Sequence, residues 1–422
     1  MSFEDNLEFA QAQDREDSLR SFRNEFIFPK NPMGKNFVYL SGNSLGLMPK
    51  QAKVFVESEL EAWENHAVDA HLKGEHPWYS YHETVTEGLA AIVGARPTEV
   101  VAMNALSVNL HLMLTSFFQP KDNRRCIVME PEPFSSDLYA VHSQLKWHGL
   151  NPETDCVLLK PSSGQSTITP DDLMSQLSAM EPKINLILLG NVNFASGQCF
   201  DVPSIVRWAH ERGIIVGLDL AHGIGNIPLQ LHDWGVDFAV WCSYKYLNSG
   251  PGGIAGVFVH ESHAREFDRP RLGGWWGHDK HLRFQFGKTF QPMSGAEGWQ
   301  VSNPAILPLA CLRASLALYA KAGMPALVAK SRKLTGYLEF LIAQKKALKS
   351  WNLITPKDPI HRGAQLSYRV GTEGQDWVET AKALGVICDF RKPDIIRMAP
   401  APLYNSFEDV YRTAQVFEQV MG

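Results

Sequence analysis

The sequence predicts an α/β protein in which a large domain with a mainly parallel sheet precedes a smaller α+β domain. Three observations predict this architecture. The chain has 422 residues, more than a single hydrophobic core usually contains. From about residue 100 to residue 260, short apolar runs alternate with amphipathic stretches, as in parallel sheets covered by helices. After Asn303-Pro304, two long helical segments precede short strands and a closing helix.

Six apolar runs are the predicted strands of the large sheet, because each is short and apolar enough for a buried strand. They cover residues 126–129, 156–159, 186–189, 214–218, 238–242 and 254–259. One helix between them has a clear beginning, with Thr169 as N-cap and Pro170 in the first helical position.

Three segments divide the chain. We expect residues 1–48 to be an amino-terminal arm that packs with the small domain, residues 49–303 to be the large domain, and residues 304–422 to be the small domain. The small domain is predicted to contain helices over residues 305–321, 325–345 and 406–421. No long Gly/Ser linker separates the lobes, so we expect a substantial interface, which is where ligands commonly bind.

The composition excludes several classes of partner. Forty basic and 45 acidic residues leave a formal charge of −5, and no dense Lys/Arg cluster is present, so nucleic acid is not expected. No run reaches the ~18 apolar residues of a membrane span, and the amino terminus lacks the pattern of a signal peptide. We therefore expect a cytoplasmic protein.

The cysteines and histidines do not form the patterns of a disulfide framework or a metal site. The six cysteines are far apart and no CxxC occurs, which predicts reduced, buried thiols. The close histidine pairs are His260 with His263 and His278 with His281. Neither pair has a third ligand nearby in the sequence, so we expect no metal.

Lys245 is the most informative residue. It follows the apolar run 238–242 and precedes Gly250-Pro251-Gly252-Gly253, which forbids a helix, so it is predicted to lie at the end of a strand. A buried amine has a depressed pKa and can form a Schiff base with an aldehyde, which is how pyridoxal phosphate is bound. The alternative is a solvated lysine on a loop.

Asp219 favours the first interpretation. It ends the apolar run 214–218, one βα unit before Lys245. The ring nitrogen of pyridoxal phosphate needs a carboxylate partner to stay protonated, and such a carboxylate lies at the end of a neighbouring strand. An isolated aspartate there is more often a helix N-cap. The pairing with Lys245 makes the cofactor role the better interpretation.

Three further features carry weaker signals. Ser107 lies where a helix begins, and a helix N-terminus can bind a phosphate, although neither GxxxxGK[ST] nor GxGxxG occurs. Trp275 and Trp276 lie among glycines, so either one indole faces a cleft or a partner chain, or a core tryptophan adjoins a surface one. Arg397 lies in an apolar strand and would either bind a substrate carboxylate or form a salt bridge between the lobes.

These segments together resemble the kynureninase family, which belongs to the aminotransferase-like, fold type I pyridoxal-phosphate enzymes. The resemblance extends over nearly the whole chain, and Tyr244 before the lysine sets it apart from cysteine-desulfurase-like proteins, which usually have histidine there. The segments that carry it are 40–47 (LSGNSLGL), 103–106 (MNAL), 134–137 (FSSD), 219–222 (DLAH), 233–239 (DWGVDFA), 243–253 (SYKYLNSGPGG), 274–278 (GWWGH), 302–304 (SNP) and 402–406 (PLYNS).

The resemblance implies a seven-stranded type of sheet and a role for each matched residue. Lys245, Tyr244 and Asp219 would carry the catalysis, with Lys245 bonded to the cofactor, Asp219 paired with its ring nitrogen and Phe134 stacked on its ring. The other implied cofactor-binding residues are Leu106, Ser107, Ser135, Ser136, Asp137, His222, Tyr244, Trp275 and Asn303. The implied substrate-binding residues are Ser44, His71, Trp276, Asn303 and Arg397. In this family Trp275 and Asn303 reach the site from the second subunit, which implies a homodimer.

The activity implied by the resemblance is hydrolysis of kynurenine, 3-hydroxykynurenine or both to the corresponding anthranilate and alanine in tryptophan degradation. Lys245 would move the α-proton, and Tyr244 is a hypothetical acid-base partner because it adjoins Lys245. Two alternatives stay open. The first is another pyridoxal-phosphate reaction, either an aminotransferase or a desulfurase with Cys388 as the nearest candidate for its reactive thiol. The second is a cofactor-binding regulator without turnover.

Overall fold

A seven-stranded sheet organises the larger part of the structure, a computed structural model that describes residues 3–285, 287 and 289–422. Its strand order is β4-β10-β9-β8-β7-β5-β6. In chain order the strands are β1 (Phe26–Ile27), β2 (Val38–Tyr39), β3 (Met48–Pro49), β4 (Val100–Ala102), β5 (Cys126–Met129), β6 (Cys156–Leu158), β7 (Ile184–Gly190), β8 (Ile215–Asp219), β9 (Phe238–Trp241), β10 (Gly256–Val259), β11 (Asn352–Leu353), β12 (Leu366–Arg369), β13 (Val386–Ile387), β14 (Asp389–Arg391) and β15 (Ile395–Met398).

The predicted α/β class and the mainly parallel sheet are confirmed. Strands β6, β5, β7, β8 and β9 are parallel neighbours, whereas β10 runs antiparallel to both β9 and β4. All six predicted strands occur, with ends that differ by one or two residues. The edge strand β4 was not predicted, because three apolar residues are too few to give a strand pattern.

Helices cover both faces of this sheet, and others pack against the carboxyl-terminal sheet. In chain order they are α1 (Leu7–Glu16), α2 (Lys50–His66), α3 (Thr86–Val93), α4 (Leu106–Phe117), α5 (Ser135–Trp147), α6 (Pro152–Asp155), α7 (Pro170–Met180), α8 (Val202–His210), α9 (Leu231–Trp234), α10 (Ile306–Ala322), α11 (Met324–Gln344), α12 (Gly374–Ala383) and α13 (Phe407–Met421). The predicted beginning of α7 is confirmed, since the Thr169 side chain accepts a hydrogen bond from the Asp172 N–H.

Alternate residues of each strand contribute to different cores. In β9, Phe238 and Val240 pack in the core that contains α4 and α5, whereas Ala239 and Trp241 pack in the core that contains α3, α7 and α8. Successive side chains of a strand point to opposite faces, so a sheet buried on both faces needs apolar residues at every position. The unbroken apolar runs of the sequence meet that need.

A four-stranded antiparallel sheet in the order β11-β12-β15-β14 lies in the carboxyl-terminal part. Strand β2 pairs in parallel with β13, and both oxygens of Asp14 in the α1 region accept backbone N–H groups at the beginning of α13. The amino-terminal segment therefore contacts this sheet and its helix. Helix α10 instead contributes Leu309 and Leu316 to a core of the large sheet. The domain boundaries at residues 48 and 303 stay a prediction.

Within the described residues, no single helix is both long and apolar enough to cross a membrane. Helices α10 and α11 meet the length and composition of a span only as a pair, which is bent by 83°.

Candidate active site

A cavity opens where the parallel strands β5, β7, β8 and β9 end. Parallel strands finish at the same edge of a sheet, so the residues that follow them meet there. Nine of the predicted site residues line this cavity, namely Leu106, Ser107, Phe134, Ser136, Asp137, Asp219, His222, Tyr244 and Lys245.

Lys245 reaches the cavity from the loop after β9. Its Nζ lies 3.0 Å from Nε2 of His222 and 5.9 Å from the centre of the Phe134 ring. The loop is held by the amino-terminal segment, because the Gly46 N–H donates to the Tyr244 carbonyl at 2.8 Å. A Cβ on Gly46 would collide with the Lys245 carbonyl oxygen, so this contact requires glycine. Lys245 is thus a fixed, partly buried amine and not a solvated loop residue.

His222 is the nearest polar neighbour of the Lys245 amine. Burial, and then the positive Lys245, hold the pKa of His222 well below its ordinary range. The imidazole is therefore neutral at physiological pH, and its Nε2 accepts a hydrogen bond from the lysine. Within the described part of the chain, its buried Nδ1 has no hydrogen-bond partner.

Asp219 is the last residue of β8, and its carboxyl group is buried. One oxygen, Oδ1, accepts the Ala221 N–H at 2.6 Å. The chain from 221 to 226 forms turns and no regular helix, so Asp219 does not act as a helix N-cap. Its position at a strand end inside the cavity is the one predicted from the sequence.

Asp137 is a second carboxyl group beside Asp219. It lies on the first turn of α5 and is hydrogen-bonded to the Asp219 side chain. Burial, and then the negative Asp219, raise the pKa of Asp137 well above its ordinary range. Two carboxyl groups can share a hydrogen bond only if one is protonated, and we assign that proton to Asp137.

Two helices begin at the cavity. Helix α4 starts at Leu106 after Ala105, and α5 starts at Ser135 after Phe134; neither has a side chain that caps its first N–H groups. Uncapped N–H groups and the helix dipole attract an anion. The hydroxyl groups of Ser107 and Ser136 meet 2.7 Å apart at the cavity wall and add hydrogen-bond donors.

Tyr244 lies beside the lysine, half-buried, and lines the cavity together with Cys242. Burial and the neighbouring Cys242 raise the pKa of Tyr244, so the phenol keeps its proton. The residue can donate a hydrogen bond into the cavity.

The sequence allows Arg397 to be interpreted either as a ligand of a substrate carboxylate or as part of a salt bridge between the lobes, and the structure has features of both. Its Nε and Nη2 donate to the two oxygens of Asp389 at 2.8 and 2.5 Å, and its Nη1 donates to the Phe194 carbonyl at 2.6 Å. The ion pair therefore joins neighbouring strands β14 and β15, not two lobes, while Phe194 belongs to the loop after β7 and lines the cavity. Nη1 and Nη2 each retain one further N–H. A role in binding a substrate carboxylate stays a prediction.

Seven predicted site residues do not line the cavity of the single chain: Ser44, Ser135, Arg397, His71, Trp275, Trp276 and Asn303. Ser44 lies in the segment that is bonded to Tyr244, and Ser135 is exposed on α5. Trp276 is buried, whereas Trp275 is 44% exposed, so a core tryptophan adjoins a surface one.

Two sets of ring contacts, which meet at the adjacent residues Trp78 and Tyr79, extend from His71 to Trp275. His71 packs edge-on against Trp78 at 5.5 Å, Tyr79 stacks on Phe284 at 5.9 Å, and Phe284 meets Trp275 at 6.0 Å. We call His71, Trp78, Tyr79, Trp275 and Phe284 the aromatic surface.

The sequence analysis missed six residues that line the cavity: Glu130, Gly190, Val192, Phe194, Ala221 and Cys242. Glu130 follows the apolar strand β5 in the way that Asp219 ends β8, so the same pattern of an acid after an apolar run could have identified it. The others carry no chemical signal in the sequence, because their place depends on which strands are neighbours.

Groups able to bind a metal occur away from the cavity. Ligand atoms of Glu99, His232 and His260 lie within 4.8 Å of one another. The Glu99 carboxylate already accepts N–H groups from Arg96, His232 and Glu261 at 2.8 to 2.9 Å. This cluster is explained by hydrogen bonding within the protein.

Comparisons with known proteins agree with this geometry. The Aminotransferase class-V family model matches residues 38–367, and the Kynureninase C-terminal domain model matches residues 327–417. A kynureninase of Myxococcus xanthus is 53% identical over 99% of this chain and 97% of its own. The chain belongs to the kynureninase family. A second family member, from Koribacter versatilis, is 48% identical over 99% of this chain and 98% of its own.

A solved structure supports the fold of this kynureninase-family chain. A C-DES variant with glycine covalently linked to its PLP cofactor superposes with a TM-score of 0.76 over 94% of this chain and 98% of its own, at 14% identity. The likeness at that identity is one of fold.

Asp389 should be needed for stability in this kynureninase-family chain. Asp389→Asn leaves the buried Arg397 guanidinium without its carboxylate, so we expect a loss of about 3 kcal/mol in the free energy of unfolding, measured with urea on the cofactor-free protein. Asp394→Asn is the control, because it breaks a more exposed pair with Arg369 and should cost less than about 1 kcal/mol. Equal losses for both variants would contradict the prediction.

Proposed function

We propose that this chain is a pyridoxal-phosphate-dependent hydrolase that converts kynurenine, 3-hydroxykynurenine or both, with water, into the corresponding anthranilate and alanine. One observation carries the proposal. In a chain of the kynureninase family, the Lys245 amine faces a cavity that also holds a neutral imidazole and a buried carboxyl cluster. The substrate is a breakdown product of tryptophan, so the enzyme would act in the kynurenine pathway, which also leads to NAD. We also propose that it acts in the cytoplasm.

The residues of the cavity fit the cofactor. Two uncapped helix N-termini suit its phosphate, Lys245 can bond its aldehyde carbon, and Asp219 can hold the proton on its ring nitrogen. Phe134, 42% exposed, offers a free ring face for stacking. The buried Nδ1 of His222 and Oδ1 of Asp137, unpartnered within the described residues, are further polar groups for the ring substituents.

Each neighbouring group then has a defined task. The bound cofactor supplies an electron sink for bonds at the substrate's α- and β-carbons. The Lys245 amine removes and returns the α-proton, and the neutral His222 accepts its hydrogen bond without adding a positive charge. Water adds to the side-chain carbonyl, the Cβ–Cγ bond breaks, and the alanine carbon takes a proton. Tyr244, protonated and adjacent to Lys245, is the proposed donor.

Arg397 is the proposed ligand of the substrate's α-carboxylate. Asp389 fixes one edge of its guanidinium, and the remaining N–H groups on Nη1 and Nη2 form the fork that a carboxylate accepts. Ser44 comes from the segment packed on the Lys245 loop and is proposed to lie on the substrate side.

We further propose a homodimer in which each site draws residues from both subunits. Trp275 and Phe284 are 44% and 71% exposed, and the aromatic surface that contains them is the kind of patch that a monomer rarely leaves in water. His71, Trp276 and Asn303 do not line the cavity of their own chain. A partner subunit would bring Trp275 and Asn303 to the cavity.

The alternative functions lack comparable support. A desulfurase needs an accessible, reactive thiol, but Cys388 is buried, and burial raises the pKa of all six thiols. An aminotransferase would return a keto acid as an amino acid in stoichiometric exchange. A regulator without turnover would bind the cofactor through the same lysine, so an anthranilate assay separates it from the enzyme.

The first test measures anthranilate fluorescence after pyridoxal phosphate and kynurenine are added to the protein. We expect turnover by the wild-type protein and none by Lys245→Ala, because Lys245 provides the only side-chain amine among the described residues that line the cavity. Lys160→Ala, an exposed lysine, is the control and should retain full activity. If the bound cofactor absorbs visible light but no anthranilate forms, the protein is either a regulator without turnover or an enzyme that acts on another substrate.

The role of Tyr244 is tested by Tyr244→Phe. Loss of the phenolic proton should lower kcat about 10²-fold or more if it serves proton transfer, with a smaller change in KM. Tyr139→Phe, on the exposed side of α5, is the control. A Tyr244→Phe variant with full turnover would exclude the residue as the acid.

Shared sites are tested by mixing two inactive variants. Lys245→Ala and Asn303→Ala homodimers should each be inactive, whereas random exchange of subunits creates hybrid dimers with one intact site and about a quarter of the wild-type activity. A mixture that stays inactive after demonstrated exchange would show that Lys245 and Asn303 act within one chain.

A further inference from the structure

Glu130 is a buried acid beside the lysine cavity with no role in the chemistry above. It directly follows β5, and only 3% of its surface is exposed. Its Oε2 accepts the Gly190 N–H at 2.8 Å, and its Oε1 would lie 2.6 Å from a Cβ at Gly190. Gly190 pairs in register with Asp219. The Glu130 side chain therefore ties the end of β5 to the end of β7, next to the strand that carries Asp219.

Glu130 also shares the cavity with two other carboxyl groups, Asp137 and Asp219. The charged and titratable groups that face these acids are Lys245, His222, Tyr244 and Cys242. His222 is neutral, and the phenol and the thiol keep their protons. Lys245 thus faces three acids, and three negative charges in one buried cavity would repel one another strongly.

The surroundings decide which acids keep their protons. Burial is the main cause that raises the pKa of Glu130 to about 7; the Gly190 N–H bond lowers this pKa, and the negative Asp219 raises it further. Burial, and then the negative Asp219, also raise the pKa of Asp137. These causes favour the protonated form of Asp137 and, below about pH 7, of Glu130, so the negative charge of the cavity is concentrated on Asp219. Asp219 is the proposed partner of the cofactor's ring nitrogen.

We propose that Glu130 is a positioning residue of the cofactor pocket: as a neutral carboxylic acid it holds the ends of β5 and β7 together and confines the cavity's negative charge to Asp219. This inference rests on the proposed function, because it concerns the partner of the cofactor's ring nitrogen. Glu130 acts through Asp219 and Gly190 and touches no reacting atom.

Two substitutions separate the parts of this role. Glu130→Gln keeps an oxygen for the Gly190 N–H and replaces the acid O–H by an uncharged N–H donor, so it imitates the protonated acid. Glu130→Leu has a similar volume but leaves the buried Gly190 N–H without an acceptor. Glu132→Gln is the matched control, because Glu132 is exposed in the same loop.

Cofactor binding is measured by titrating each cofactor-free variant with pyridoxal phosphate and following the visible absorbance of the bound form. We expect Glu130→Gln and Glu132→Gln to bind within about twofold of wild type, and their visible band to titrate with pH at the wild-type midpoint. Glu130→Leu should bind about tenfold more weakly, with its midpoint displaced by about one pH unit or more.

A second measurement needs no cofactor and covers the case in which Glu130→Leu does not fold. Because the pKa of Glu130 is raised in the folded protein, its proton stabilises the fold. This stabilisation is fully present below the ordinary glutamate pKa and is lost as pH rises through about 7. The thermal midpoint of wild type should therefore fall relative to Glu130→Gln between pH 5 and pH 8. Wild type and Glu132→Gln should stay parallel over that range.

Three outcomes would overturn the proposal. A loss of cofactor affinity in Glu130→Gln as strong as that in Glu130→Leu would show that the pocket uses the negative charge of Glu130. Glu130→Leu with wild-type affinity would show that the contact is dispensable, and parallel stability curves of wild type and Glu130→Gln would show that no buried proton is held there. Failure of the proposed function looks different, because wild type would then bind the cofactor and show these effects without releasing anthranilate.

Discussion

The parallel register of β5, β7, β8 and β9 is the constraint on which the site depends. Because these strands end at one edge of the sheet, the residues that follow them are brought within a few ångströms without any other device. Glu130 follows β5, Gly190 and Asp219 end β7 and β8, and Lys245 follows β9. A shift of one residue in any of these pairings would turn a site residue toward a hydrophobic core.

Burial determines which titratable groups of the site are protonated. A charged group loses hydration when it is buried, so burial favours the neutral imidazole of His222, the protonated Asp137 and, below about pH 7, the protonated Glu130. The cavity therefore holds neutral hydrogen-bonding groups around one amine and one carboxylate. Neutral groups can orient a ligand by hydrogen bonds without adding further charges to the cavity. This suits a cofactor whose chemistry depends on one protonated ring nitrogen.

The carboxyl-terminal sheet contributes through Arg397. The guanidinium is fixed by Asp389 on the neighbouring strand and bonded to the Phe194 carbonyl, so it connects the small sheet to the loop after β7. Phe194 in turn packs edge-on against Phe134 at 5.3 Å. The proposed carboxylate ligand and the proposed stacking ring are therefore positioned by a continuous series of contacts. The aromatic surface lies outside the cavity lining of the same chain and awaits a partner in the proposed dimer.

By itself, the sequence determined the elements and the chemically distinctive residues. Unbroken apolar runs require strands buried on both faces, Thr169-Pro170 begins a helix, and a lysine and an aspartate at strand ends identify a cofactor site, because these signals are local. The tertiary structure alone decided which strands are neighbours and hence that Glu130 and Gly190 meet Asp219. It also decided that Arg397 pairs with Asp389 and that Trp275 is exposed while Trp276 is buried. Those outcomes depend on contacts between residues far apart in the chain, and the protonation of the buried acids depends on the low-dielectric cavity that these contacts create.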